Sequence, residues 1–162
     1  MVLIRPAGAD DWSDVRPFFR LIVAAGDTYC YDPAMSETEG RATWMLNAPG
    51  RTVVAVDDGV IVGSAKMGPN HEGPGAHVAT ASFMVDPARS GRGIGRALAK
   101  HALAWAAEAG FTGMQFNAVA ASNVRAVGLW QSVGMQIMTT IPGGFRHPTQ
   151  GDVGLHIMFR RL

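Results

Sequence analysis

The stretch that most restricts the fold is residues 85–98, which read Val-Asp-Pro-Ala-Arg-Ser-Gly-Arg-Gly-Ile-Gly-Arg-Ala-Leu. An apolar strand runs here into a glycine-rich turn and directly on into an alanine- and leucine-rich helix. The backbone N–H groups of the turn and of the first helical turn have no partner within the helix, and with the helix dipole they favour an anion. Arg92 and Arg96 add positive charge, so the segment predicts a site for a phosphate or pyrophosphate.

Two familiar phosphate-binding motifs do not match this turn. A P-loop requires Gly-Lys-Ser/Thr at its end, and the turn contains no lysine. A dinucleotide fingerprint requires a third glycine where Arg96 stands, and an acidic residue at the end of the next strand, where residues 114–119 have none. We therefore expect neither a nucleoside triphosphatase nor a Rossmann dinucleotide-binding domain.

Composition limits the partners and the compartment. The 162 residues suit a single domain, expected over residues 1–162, and a formal net charge of +1 gives no basic surface for nucleic acid or for an anionic membrane. No apolar run approaches the roughly 20 residues that span a bilayer. Cys30 is the single cysteine, and residues 1–6 lack the features of a secretory signal, so we expect a cytoplasmic protein.

Hydrophobic periodicity predicts the element order β-α-α-β-β-β-α-β-α-β-β. The predicted strands are residues 2–5, 51–56, 60–67, 76–85, 114–119, 135–141 and 154–160. The predicted helices are one that follows Asp10 as its N-cap, then residues 36–46, 94–109 and 123–133. Pro17 is expected to kink the first helix or to mark its first turn, and residues 142–151 are expected to form a loop. These alternations indicate an α/β (α+β) fold with a mixed sheet and helices on both faces.

This order resembles the GCN5-related N-acetyltransferases (GNAT family). Two motifs carry the resemblance: the strand, Asp-Pro, loop and helix of residues 85–98, and Asn-Val-Arg-Ala-Val-Gly-Leu-Trp-Gln-Ser-Val-Gly-Met at residues 123–135. The resemblance implies a mostly antiparallel seven-stranded sheet, splayed between strands 4 and 5, with acetyl-coenzyme A (acetyl-CoA) wedged into the gap. The strand before the loop would pair with the pantetheine arm, and the loop would hold the pyrophosphate. The implied cofactor-binding residues are Phe83, Met84, Val85, Gly91, Arg92, Gly93, Ile94, Gly95, Arg96, Asn123 and Trp130.

Two positions depart from the family pattern. Ser90 stands where the pattern has Gln or Arg, although the donors expected there are mostly backbone groups. Trp130 stands where many members have a tyrosine that can protonate the leaving thiolate, so we expect it to pack against the cofactor or the core.

The expected reaction is direct attack by a deprotonated amine on the thioester, because residues 78–84 contain no carboxylate to act as a base. Asn117 and Asn123 are the candidate catalytic residues. Strand alternation places Asn117 on the face opposite Phe116, where its amide could orient the substrate. For Asn123, a hydrogen bond to the cofactor arm and a plain helix N-cap both remain open. Their spacing resembles a subgroup that includes fungal acetyltransferases of proline analogues.

The acceptor is expected to be a small-molecule or amino-acid-like amine, with acetyl-CoA as cosubstrate and no metal. The candidate substrate-binding residues are Tyr29, Tyr31, Thr80, Asn117 and Arg146. A protein N-terminus or lysine is the alternative acceptor, and a non-catalytic acetyl-CoA sensor is the alternative of another class. The two C-terminal strands further suggest a homodimer.

Overall fold

Seven strands form one sheet in the order β1-β2-β3-β4-β5-β7-β6 in the computed structural model, which describes residues 2–162. Met1, the first residue of the range expected for the domain, lies outside the described residues. The strands are β1 Leu3–Pro6, β2 Arg51–Asp57, β3 Val60–Pro69, β4 Val78–Val85, β5 Gly113–Ala120, β6 Gln136–His147 and β7 Gly151–Arg161. The helices are α1 Trp12–Ala25, α2 Glu37–Trp44, α3 Ile94–Glu108 and α4 Val124–Ser132.

The pairing is antiparallel everywhere except between β4 and β5, which run parallel. These two strands share only the pairs Val78↔Gly113 and Ala79↔Met114. Beyond Ala79 they diverge, and β4 has a strand neighbour on one side only. The predicted fold class, the mixed sheet and the splay between strands 4 and 5 are therefore confirmed.

Helices cover both faces of the sheet, each over its own apolar core. Under α3 and α4 the core includes Val53, Leu98 and Met114, all fully buried. Under α1 and α2 it is richer in aromatic rings and includes Phe19 and Trp44. Because side chains alternate along a strand, successive residues of β2 point into opposite cores. Within the described range, no helix has the length and apolar character needed to cross a bilayer.

The start of α1 differs from the prediction. Asp10 lies in a short 3₁₀ turn, Ala9–Asp11, and Asp11 directly precedes the helix, so the predicted N-cap at Asp10 is wrong. The guanidinium of Arg5 binds the Asp11 carboxylate at 2.7 Å and anchors this turn to β1. Pro17 lies inside the helix rather than in its first turn. The lost hydrogen bond is offset because one face of α1 is buried in the aromatic core.

The C-terminal hairpin is longer than predicted. Residues 142–147, expected in a loop, belong to β6, and the turn to β7 covers only residues 148–150. The strand continues because the buried Phe145 pairs with Val153, while a register shift between Ile141 and Phe145 accommodates the glycines. Pro142 is tolerated because β6 is the edge strand of the sheet.

Candidate active site

The gap between β4 and β5 exposes backbone groups of β4. The Asp86 N–H donates to the Val62 carbonyl at 3.0 Å, and antiparallel pairing alternates hydrogen-bonded and open positions. Counting back along β4, Met84 points its backbone groups at β3, whereas Phe83 and Val85 point theirs into the gap. Of the three residues implied as partners of the pantetheine arm, two thus turn their backbone groups toward the gap.

One end of the gap opens into a cavity of about 360 Å³, which we call the glycine-loop cleft. Gly91 (φ +87°) and Gly93 (φ +79°) take left-handed conformations that L side chains rarely adopt, and they turn the chain sharply into α3. The N-terminus of α3 therefore faces the cleft with unpaired N–H groups. The residues that line the cleft are Ile22, Thr28, Tyr29, Phe83, Met84, Val85, Ser90, Gly91, Gly93, Ile94, Gly95, Arg96, Asn123, Arg125, Ala126, Leu129 and Trp130.

Two arginines line this cleft, Arg96 and Arg125. A Cβ built on Gly91 would lie 3.4 Å from the Arg125 Nη2 atom, so α4 reaches across to the loop. Arg125 was not among the predicted cofactor-binding residues, although it lies in the first turn of α4, two residues after Asn123. Arg92, which was predicted, is exposed and does not line the cleft.

The other end of the gap is a second cavity of about 350 Å³, the β5 cleft. Its side chains are uncharged: hydroxyls, two amides, one thiol and apolar groups. The residues that line it are Thr28, Tyr29, Cys30, Tyr31, Thr80, Ala81, Ser82, Phe83, Phe116, Asn117, Ala118, Val119, Ala120, Asn123, Ala126 and Trp130. The predicted substrate residues Tyr29, Tyr31, Thr80 and Asn117 all lie here.

The two clefts share a wall. Residues that line both are Thr28, Tyr29, Phe83, Asn123, Ala126 and Trp130. The Trp130 ring lies 4.8 Å from that of Phe83 and 5.2 Å from that of Phe116. Trp130 is 8% exposed, so it packs in the core and at the same time separates the cavities.

Tyr29 reaches the shared wall from the segment between α1 and α2. Its hydroxyl donates to the Phe83 carbonyl and accepts from the Phe83 N–H at 3.1 Å. Burial, and next the proximity of Tyr31, raise the pKa of Tyr29 above its usual range, so the hydroxyl stays protonated at neutral pH. The ring stacks on Tyr31 at 5.1 Å and meets Trp44 edge-on.

The two predicted catalytic amides lie in different settings. Asn117 Nδ2 donates to Asn70 Oδ1 at 2.6 Å, and Asn117 Oδ1 accepts from Gln115 Nε2 at 2.8 Å. Asn123 Oδ1 accepts from the Ala126 N–H at 3.1 Å, which makes Asn123 the N-cap of α4. Its Nδ2 group is left over on the shared wall, so the capping role and a ligand contact are compatible.

Arg146 is not brought to either cleft. It lies on β6, is largely exposed, and pairs with Asp152 at 2.9 Å. That pairing raises the pKa of Arg146 and lowers that of Asp152. Sequence reasoning placed it in a loop near the substrate because residues 142–151 are rich in Pro and Gly. Among the described residues, no three His, Cys, Asp or Glu side chains are grouped to hold a metal ion.

Comparisons with known proteins agree with this geometry. A solved GCN5-related N-acetyltransferase from Kribbella flavida is 52% identical over 99% of this chain and 98% of its own, with a TM-score of 0.97. The protein yncA of Salmonella typhimurium, solved with its cofactor acetyl-CoA, has the same fold at a TM-score of 0.84 and 21% identity, over 100% of this chain and 94% of its own.

A curated relative, the N-acetyltransferase aca1 of Schizosaccharomyces pombe, is 35% identical over 71 residues, 44% of this chain. The match spans only 34% of that relative's length. The model of the acetyltransferase (GNAT) family matches residues 14–135, which include the whole β4–loop–α3 unit and α4. With the splayed sheet, the glycine-loop cleft and this match together, the chain belongs to the GNAT acetyltransferase family.

Proposed function

We propose that the protein is an acetyl-CoA-dependent N-acetyltransferase that acts on a small amine. The observation that carries the proposal is the pair of clefts that meet at one wall in the β4–β5 gap. One cleft suits an anionic nucleotide and the other a small neutral group. A group transferred from one cleft to the other would move only past the residues that line both.

The glycine-loop cleft fits the cosubstrate. The N–H groups at Gly91–Arg96, the α3 dipole and the guanidinium groups of Arg96 and Arg125 would hold the pyrophosphate. The backbone groups of Phe83 and Val85 that face the gap would pair with the amides of the arm. Acetyl-CoA supplies an activated acetyl group as a thioester.

The β5 cleft orients the acceptor. Asn117 and Thr80 offer an amide and a hydroxyl on the two strands that border the gap. A neutral amine held there attacks the thioester carbonyl carbon, the C–S bond breaks and coenzyme A leaves as its thiolate, while the amine proton leaves to water and water protonates the thiolate. No carboxylate lines the cleft among the described residues, so the acceptor must arrive deprotonated.

Cavity size favours a small acceptor over a protein. The β5 cleft of about 350 Å³ is bounded by the tyrosine-bearing segment between α1 and α2. An extended peptide would need a longer groove.

A protein N-terminus or lysine is the alternative acceptor, and a non-catalytic sensor is the alternative function. The composition, with a single cysteine that can form no intrachain disulfide, supports a cytoplasmic, single-domain enzyme.

Thiol release from acetyl-CoA, measured against a panel of small amines, amino acids and N-terminal peptides, tests the proposal. We expect release that depends on one class of small amine, with the N-acetyl product identified by mass spectrometry. Reactions without acceptor control for hydrolysis. Acetyl-CoA binding without acceptor-dependent release would support the sensor, and a failure to bind acetyl-CoA would refute both functions.

We also propose a homodimer through β6. This edge strand exposes Ile137, Met138 and Ile141. An unpaired edge with apolar side chains favours pairing with a second copy of the same strand. Sedimentation of the wild type and of a Met138→Lys variant tests it: we expect a dimer for the first and a monomer for the second, whereas a monomeric wild type at micromolar concentration would contradict it.

A further inference from the structure

The hydroxyl of Tyr29 occupies both hydrogen-bonding groups of one residue in the gap. It accepts from the Phe83 N–H and donates to the Phe83 carbonyl. A single hydroxyl thus acts as donor and acceptor at once, as the N–H and carbonyl of one residue on a paired antiparallel strand would. The contact joins segments 54 positions apart in sequence, so it is a feature of the tertiary fold.

The position of this contact matters because Phe83 and Tyr29 both line both clefts. A ligand arm that runs from the glycine-loop cleft toward the β5 cleft must pass the β4 edge at Phe83. The backbone groups that the arm would use there are the Phe83 N–H and carbonyl, and both are hydrogen-bonded to Tyr29.

We propose that Tyr29 is a gate on the cosubstrate arm: its hydroxyl closes the β4 edge until the arm of acetyl-CoA displaces it from Phe83. The inference rests on the proposed function, because it takes acetyl-CoA as the ligand. It adds a positioning residue from the α1–α2 segment to a site otherwise built by β4, α3, α4 and β5.

The gate lowers the apparent affinity of the arm. When a protein group occupies the binding groups, only the open fraction of molecules is competent, and the measured dissociation constant is the intrinsic constant divided by that fraction. Removing the hydroxyl removes the competitor. The ring itself would stay, because its stacking on Tyr31 and its contact with Trp44 do not involve the hydroxyl.

Calorimetry on Tyr29→Phe is the decisive experiment. We expect acetyl-CoA to bind Tyr29→Phe about 2- to 10-fold more tightly than it binds the wild type, which corresponds to the net free energy of one hydrogen bond. Adenosine 3′,5′-bisphosphate, which has the nucleotide but no arm, should bind both proteins equally. Tyr31→Phe is the matched control, since Tyr31 stacks beside Tyr29 without contacting Phe83, and it should change neither affinity.

The outcomes separate the gate from the proposed function. If the wild type does not bind acetyl-CoA, the proposed function fails. If the wild type binds but Tyr29→Phe binds acetyl-CoA equally or more weakly, the gate is refuted while the function stands. Equal tightening for the armless nucleotide would also refute it, because the effect would not depend on the arm.

A second measurement keeps the gate testable if Tyr29→Phe does not fold. The sequence has two tyrosines, so fluorotyrosine incorporated into Tyr31→Phe gives a single ¹⁹F signal from Tyr29. Acetyl-CoA should shift this signal, and adenosine 3′,5′-bisphosphate should leave it in place. A signal unmoved by saturating acetyl-CoA would overturn the proposal.

Discussion

The two clefts are nearly equal in volume but are built in opposite ways. The lining of the glycine-loop cleft includes the glycine-rich turn, the N-terminus of α3 and two arginines, whereas the β5 cleft is lined by uncharged residues from four separate segments. A backbone cradle recognises a chemical group common to many ligands. A side-chain cavity recognises one shape. We therefore expect ligand binding in the first cleft to be common to the family, and ligand binding in the second to be particular to this protein.

Trp130→Ala should damage both clefts, because Trp130 forms their shared wall. Deleting a buried indole packed between Phe83 and Phe116 costs about 3–5 kcal/mol of the free energy of unfolding. Urea unfolding measures that loss, and calorimetry measures the accompanying loss of acetyl-CoA binding. Trp105→Ala, which removes a partly buried indole outside both clefts, should leave the affinity for acetyl-CoA unchanged. Equal effects of the two variants on binding would contradict a shared wall.

Gly93→Glu should disable the glycine-loop cleft alone. A side chain at φ +79° strains the turn, and a carboxylate there repels the pyrophosphate, so we expect acetyl-CoA to bind at least about 100-fold more weakly. Gly59→Glu is a matched control, since Gly59 has φ +77°, is equally open and lies in the β2–β3 turn. Calorimetry should find wild-type affinity for that variant. A comparable loss there would assign the effect to strain in general.

Asn117→Ala should affect the β5 cleft alone. Loss of one hydrogen bond to the acceptor should raise its KM about 2- to 10-fold and leave acetyl-CoA affinity unchanged. Asn70→Ala removes only the amide that orients Asn117, and we expect a smaller rise in the same constant. Steady-state kinetics with varied acceptor measures both. A change in acetyl-CoA affinity would show that the two clefts are not separable.

His101 on α3 should affect how the free energy of unfolding depends on pH. It should affect neither cleft. Burial, and next the positive charge of Arg51, lower its pKa below the usual 6.5 despite the opposing Glu108. The folded state therefore binds this proton more weakly than the unfolded chain. The stabilisation is complete above about pH 6.5 and is lost as the pH falls through the lowered pKa.

Urea unfolding at pH 7.5 and 5.5 measures this effect. His101→Gln should flatten the pH dependence by less than about 1 kcal/mol, because the ring is only partly buried. Acetyl-CoA affinity should be the same in the two proteins at either pH. A pH slope unchanged by the substitution would assign the loss of stability to other groups.

The glycine-loop cleft could be predicted because its determinants are local. Gly91 and Gly93 are needed at positive φ, and the Asp-Pro before them and the helix after them follow within a few residues. The same locality explains why most predicted elements lie close to the observed ones. The order of elements, with the two motifs, carried the family resemblance that implied the splayed sheet.

The β5 cleft could be predicted only in part. Tyr29, Tyr31, Thr80 and Asn117 were named, but the contact of Tyr29 with Phe83 depends on how two distant segments pack. Arg146 was predicted in a loop because Pro and Gly indicate loops. In the structure these residues lie in an edge strand, where a register shift accommodates them. Arg125 was missed because its relevance arises only when α4 docks beside the loop.

The shared wall also has a kinetic consequence. Phe83, Asn123 and Trp130 line both cavities, so a donor in one and an acceptor in the other would lie against the same few residues. Burial raises the pKa of the Cys30 thiol in the β5 cleft, which disfavours the thiolate that a covalent relay would need. Under the proposed function, both substrates would therefore reside on the protein together, and double-reciprocal rate plots should intersect rather than run parallel.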